Sequence, residues 1–169
     1  SYQGVYTDSK HTKGYRVLIG DAAKATLQIQ NEQSDEVYIV PVTIGSTEGT
    51  MRFTFDYSSA NKSSEVGTLT KDKEGINLIT FPSGSWKKRE TGPIGVYYDS
   101  SNKKKRVVIR QLRGSEWKVE IFDGDNTTEG RAKAGNPILF ALPKGEVKGI
   151  FDMKEKTITF EDGSVWVKF

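Results

Sequence analysis

Two carboxylates and two guanidiniums stand at related places in this sequence: Asp8 and Asp99, Arg16 and Arg106. Two aspartates brought together could in principle serve as a general acid and base, but nothing nearby supplies the raised pKa or the positioning that such work needs. Each aspartate is followed by Ser, which fits turn hydrogen bonding through its carboxylate. Arg16 and Arg106 read in two ways. Each is an outward-facing strand residue paired with a cross-strand carboxylate, or an anchor for an anionic group, which a planar guanidinium suits by bidentate geometry. Asp8–Arg16 and Asp99–Arg106 bridges across the first hairpin of each half are the concrete structural version. His11 is the single histidine and there is no cysteine, so Cys–His and Ser–His nucleophile pairs and thiolate metal sites lack parts. His11 reads as a surface or turn residue, and nothing in the sequence calls for a metal or a cofactor. The remaining candidates are two basic runs, Lys87-Lys88-Arg89 and Lys103-Lys104-Lys105-Arg106, as an electrostatic dock or as solvated turn residues. A net charge of +3 is too small and too dispersed for a nucleic-acid partner.

These residues are organised by a repeat. Gly4-Val5-Tyr6-Thr7-Asp8-Ser9 returns as Gly95-Val96-Tyr97-Tyr98-Asp99-Ser100 at an offset of 91. Phe81-Pro82-Ser83-Gly84-Ser85-Trp86-Lys87 returns as Phe160-Glu161-Asp162-Gly163-Ser164-Val165-Trp166-Val167-Lys168, offset by 80 at the Trp. An opening and a closing motif recurring in order mark a tandem duplication. Residues 1–91 form the first β repeat and 92–169 the second, which is about ten residues shorter. Superposition is expected to place Tyr6 on Tyr97, Arg16 on Arg106 and Trp86 on Trp166. Units of about 80 residues bury a limited apolar fraction, and a linker of Glu90 to Ile94, with Gly92-Pro93 at the junction, favours packing of one on the other.

Strand periodicity dominates each repeat. In the first, Tyr15, Val17 and Ile19 alternate with Arg16 and Leu18, and further strands are expected around Ala25–Ile29, Val37–Ile44, Met51–Phe55, Val66–Leu69, Ile76–Phe81 and Ser85–Lys87. Pro41 argues for an edge or a bulge in its strand. In the second, Val107 and Ile109 repeat Val17 and Ile19, Trp117 to Ile121 repeat the third strand, and Ile138–Leu142, Val147–Phe151, Thr157–Phe160 and Val165–Val167 follow. Polar Gln30 to Val37 has no helical stripe. The expected fold is all-β: two tandem small antiparallel β barrels or sandwiches packed together. The expected core is Tyr6, Val17, Ile19, Leu27, Ile29, Phe53, Phe81 and Trp86, with Val107, Ile109, Val119, Ile121, Phe160 and Trp166 as the second set.

Each repeat resembles a small, functionally uncharacterised β domain found in cyanobacteria and in plastid-bearing algae and plants. That domain opens Gly-x-Tyr-x-Asp-x-x-His-x-x-Gly-Tyr-Arg, as in Gly4 to Arg16, and ends Phe-Pro-Asp-Gly-x-x-Trp-x-Lys, as in Phe81 to Lys87. The second repeat keeps Gly95, Tyr97, Asp99, Arg106, Phe160, Asp162, Gly163, Trp166 and Lys168 but has Asn102 and Lys103 to Lys105 in place of the His and Gly-Tyr. The resemblance implies context rather than chemistry: a photosynthetic cell, and plastid or thylakoid residence, with a secreted or periplasmic protein as the alternative. The chain begins at Ser1-Tyr2-Gln3, as a mature or trimmed chain would after removal of a targeting peptide. No apolar run reaches the ~18 residues of a membrane helix, so transmembrane insertion is not expected and membrane association would be peripheral.

Three functions fit. The first is a non-enzymatic accessory subunit docking on a larger, photosynthetic protein complex, with Arg16, Arg106, Lys103, Lys104, Lys105, Lys87, Lys88 and Arg89 as its binding residues. The second is a lipocalin- or avidin-like barrel holding a pigment, lipid or sugar in a mouth lined by Trp and Tyr. Against it, a barrel of this size is largely filled by its own side chains. The third, an enzyme, lacks a nucleophile, a base pair or a metal cluster.

Overall fold

Short alternating runs separated by tight turns can satisfy every backbone group only by pairing with neighbours, and closing the sheet removes its edges. The computed structural model, which describes residues 1–20, 24–31 and 36–169, does this twice. The first unit contains β1 (Gly4–Asp8), β2 (His11–Gly20), β3 (Ala25–Gln30), β4 (Tyr38–Thr47), β5 (Thr50–Phe55), β6 (Glu65–Lys71), β7 (Asn77–Phe81) and β8 (Gly84–Lys88), with a 3₁₀ turn at Ser58–Ala60. The second contains β9 (Gly95–Asp99), β10 (Asn102–Gln111), β11 (Glu116–Asp123), β12 (Asn126–Lys133), β13 (Ile138–Leu142), β14 (Gly145–Asp152), β15 (Thr157–Phe160) and β16 (Val165–Lys168). Each set is a closed antiparallel barrel in which every strand pairs with the next, β1 with β8 and β9 with β16. The chain leaves the first unit after Arg89 and enters the second at Glu90. The polar stretch from Gln30 to Val37 includes residues 32–35, which lie outside the described residues.

The two interiors are built alike. Phe55, Phe81 and Trp86 pack together in the first barrel, with Phe55–Trp86 at 5.3 Å and Phe81–Trp86 at 4.7 Å between ring centroids. Phe140, Phe160 and Trp166 repeat the cluster in the second, with Phe140–Trp166 at 5.5 Å and Phe160–Trp166 at 4.6 Å. A glycine on the neighbouring strand makes room for the rings. A Cβ on Gly67 would lie 2.9 Å from Phe81 Cε1, and one on Gly149 would lie 2.9 Å from Phe140 Cε2. Of the expected core, all but Ile29 and Ile121 are buried, and those two are half-buried.

The register corrects which face of β2 is inward. Tyr6 pairs with Arg16 and Gly4 with Leu18, and Tyr6 and Leu18 both belong to the barrel core. Arg16 and Leu18 therefore line the barrel, and Val17 and Ile19 point the other way. Both Val17 and Leu18 are fully buried, so alternation alone could not tell inside from outside. In β10, Tyr97 pairs with Val107 and Gly95 with Ile109, which puts Val107 and Ile109 inside the second barrel. The offset of 91 that carries Tyr6 onto Tyr97 thus carries Arg16 onto Val107 and Tyr15 onto Arg106. Arg16 and Arg106 are not counterparts; a one-residue slip turns a strand side chain to the opposite face.

Two further differences have local causes. Pro41 lies within β4 opposite Thr26, not on an edge strand. The β4–β5 ladder starts at Val42; at Pro41 only the carbonyl bonds toward β5, accepting from Asp56 N at 3.0 Å, and the ring nitrogen, with no proton to give, falls at the end of that ladder. Strand β12, Asn-Thr-Thr-Glu-Gly-Arg-Ala-Lys, was not expected at all. It carries one buried apolar residue, Ala132, and is held by eight register partners on β11 and three on β13.

Candidate functional site

Each barrel has a closed end and a mouth. At the closed end the last strand lays a lysine across the first. Lys88 pairs with Tyr6, and its Nζ donates to Ser1 O at 2.9 Å; Lys168 pairs with Tyr97, and its Nζ donates to Gly92 O at 2.9 Å. The stems run over Gly4 and Gly95, where a Cβ would meet Lys88 Cε or Lys168 Cε at 2.6 Å. Tyr6 Oη donates to Tyr2 O and Tyr97 Oη to Pro93 O, tying down the incoming chain. Burial pushes the Tyr97 hydroxyl well above its ordinary pKa. This device accounts for the recurrence of Gly-x-Tyr and Trp-x-Lys. It also removes Lys88 from the docking residues: it is 4% exposed, because a residue two beyond Trp86 must point into the barrel as Trp86 does. Aligning Trp86-x-Lys88 with Trp166-x-Lys168 is the sequence signal that would have shown it.

The mouth of the first barrel holds a charged cluster. Arg16 Nη2 lies 3.7 Å from Asp8 Oδ2, as the sequence suggested, and the guanidinium carbon stands 5.8 Å from the Trp86 ring centroid. Its Nη1 donates to Tyr15 O and Gln30 O at 3.2 and 3.4 Å. Burial lowers the pKa of Arg16, and Asp8 works against that shift. Tyr57, on the β5–β6 connection, packs against the core, and its hydroxyl is pushed up to about 12, by burial first and by repulsion from Glu65 next. Arg16 is 5% exposed and inward-facing, so it offers no surface for a macromolecular partner.

The mouth of the second barrel keeps the aspartate and the tryptophan and changes the rest. Asp99 pairs with Trp166 as Asp8 pairs with Trp86. Its cation is Lys105, 3.7 Å away, not Arg106. Burial opposes ionisation of Asp99, but hydrogen bonds from Ser101 Oγ and N, together with Lys105, outweigh it and hold the carboxyl below its usual range. Arg106 sits on the face opposite Tyr97, over the Phe169 ring at 4.9 Å, donating to the carbonyls of Lys103 and Lys105. The β5–β6 connection spans residues 56–64, whereas β13 and β14 are joined by Pro143-Lys144 alone. Much of the second repeat's shortening therefore falls at its mouth, where a cleft opens between Trp166, Phe160, Phe140, Val147, Asp99 and Lys105 and continues onto the outer face past Leu139 and Lys148, about 1100 Å³ in all.

The other candidates scatter. Lys103 and Lys104 are exposed at the start of β10. Lys87 is exposed and holds Asp72 Oδ2 at 3.1 Å, and Arg89 is half-buried, donating to Tyr15 Oη at 3.0 Å. His11 lies exposed in the first hairpin opposite Asp8. Missed in the sequence was Glu120, which accepts from buried Arg110 Nε at 3.2 Å. Among the described residues no helix is long and apolar enough to cross a membrane, and no group of three His, Cys, Asp or Glu side chains is placed to hold a metal ion. No protein-family model, no curated protein and no solved structure matches this chain.

Proposed function

We propose that the protein is a non-enzymatic accessory subunit that docks peripherally on a larger protein complex. The observation that carries this reading is a pair of exposed apolar side chains, Leu139 and Ile150, on the outer face of the second barrel, with Met153 exposed in the turn after β14. Leu139 is 48% exposed, Ile150 58% and Met153 74%. Leu139 stands between Lys133 and Lys148 in register, so apolar anchors alternate with lysines. Apolar contacts framed by positive charge suit a partner surface of acidic character. The resemblance to the plastid and cyanobacterial domain directs the search to thylakoid-associated complexes. Exposed Lys103 and Lys104 supply further charge on the same unit. Exposed charge is screened within ~10 Å at 0.1 M salt. Isolating the native protein from source membranes and washing with roughly molar salt is the test. Release by salt, together with co-migration with one complex at low salt and loss of rebinding in a Leu139→Asp, Ile150→Asp variant, is expected. Recovery only as a free protein at low salt would refute docking.

A second reading has its own observation. The open mouth of the second barrel favours capture of a small ligand there, as in other small barrels that hold one ligand at the mouth.

A further inference from the structure

We propose that the mouth of the second barrel binds an alkylguanidinium group, such as the end of an arginine side chain. This rests on the second reading above, that the mouth takes a ligand. The first barrel displays the bound arrangement within its own chain. There the Asp8–Trp86 pair is filled by Arg16, which stacks 5.8 Å from the indole centroid, faces Asp8 at 3.7 Å and reaches two backbone carbonyls. The second barrel preserves the same pair, Asp99 opposite Trp166, but has Val107 where the arginine would be.

Lys105 stands in for the missing cation, and it is held differently. The Arg16 side chain is 7% exposed and locked by three oxygen partners and a ring, whereas the Lys105 side chain is 27% exposed and, among the described residues, its ammonium reaches Asp99 alone. An ammonium placed so near solvent can swing out and recover its hydration. A guanidinium is planar, more weakly hydrated, able to bond a carboxylate through two N–H groups and to stack on an indole, so it wins this exchange. Asp99 stays paired throughout, which avoids the cost of a buried lone charge. The surroundings fit the same ligand. Val147, which faces inward opposite Phe140 and is 41% exposed, offers an apolar wall for the alkyl stem, in a place where the first barrel has Glu65. Asp123, Glu161 and Asp162 stand at the rim with Lys144, while Arg131, Lys133 and Lys148 lie farther out on the outer face, so acids outnumber bases only in the immediate rim. The long β5–β6 connection that packs Tyr57 against the first core is replaced here by Pro143-Lys144.

The test is titration of the whole chain with n-butylguanidinium, n-butylammonium and n-butylurea, followed at the Trp166 indole N–H by heteronuclear NMR. Saturable binding of n-butylguanidinium is expected, with the other two at least about tenfold weaker. Lys105→Ala should tighten binding several-fold by removing the competitor. Val107→Arg should abolish it by supplying an internal occupant, and should shift the Trp166 signal without any ligand. Lys105→Ala decides the matter where Val107→Arg does not fold. A blocked Gly-Arg-Gly peptide binding more tightly than n-butylguanidinium assigns the group to a protein partner, and weaker peptide binding assigns it to a small molecule. Equal binding of n-butylurea, or no tightening in Lys105→Ala, overturns the guanidinium assignment while leaving a ligand-binding mouth. Absence of binding by every probe overturns both.

Discussion

Replacing Arg16 and Arg106 separately by Met measures how different two residues of one type become when a register places them on opposite faces. Arg16 and its partner Asp8 have side chains only 7% and 14% exposed. Removing one member of a buried pair costs ~3–5 kcal/mol, because the other is left without its counter-ion. The 3.7 Å separation and the partial access of water to Asp8 argue for the lower part of that range. The lost stacking on Trp86 adds ~1 kcal/mol, and relief of arginine desolvation offsets a similar amount. The expected loss for Arg16→Met is therefore about 3 kcal/mol. Arg106 is half-buried, and its contacts are two carbonyls and the Phe169 ring. A partly exposed cation–π contact is worth ~0.5–1 kcal/mol, so Arg106→Met should cost about that. In a chain of this size 1 kcal/mol moves the thermal midpoint by roughly 2–4 °C. Calorimetry on both variants should show a fall in the chain's midpoint of about 6–12 °C in Arg16→Met and about 1–4 °C in Arg106→Met. Equal falls, or an unchanged midpoint for Arg16→Met, would refute the assignment of Arg16 to the barrel interior.

Gly67→Ala and Gly149→Ala push a methyl against packed aromatic rings and should each cost ~1–3 kcal/mol by urea unfolding. Trp86→Ala and Trp166→Ala remove the centre of each aromatic cluster and should cost ~3–5 kcal/mol, each in its own unit; an unchanged thermal midpoint would put that indole at the surface. Tyr57 is pushed up to about 12, against an unfolded value of 10.0, so the folded state holds its proton more tightly. Its contribution is complete below pH 10 and is lost as the pH rises through about 12. Stability followed by urea midpoint should fall more steeply over that interval in the parent than in Tyr57→Phe, and parallel curves would count against burial of the hydroxyl.

Much of the architecture is local and so is readable along the chain. Alternation at Ala25 to Ile29, Met51 to Phe55 and Trp117 to Ile121 reports strands directly, and the recurrence of Gly-x-Tyr-x-Asp and Phe-x-x-Gly reports two units of the same fold. The core aromatics follow, since rings of that size in so small a unit have nowhere else to go. The sequence by itself thus determined an all-β chain of two related halves and most of the side chains that fill them. What it left open depends on pairing between strands distant in sequence. β12 has almost no apolar residues and is a strand because β11 and β13 present edges to it. Arg16 faces the interior and Arg106 the opposite side because the partners of Tyr6 and Tyr97, not the nearest matching letter, set the register. Lys88 belongs to the closed end because β8 returns beside β1. The length difference between the repeats was visible as a number. Only closure of the second barrel showed that it falls largely at the mouth, where a two-residue turn leaves Asp99 and Trp166 beside open space.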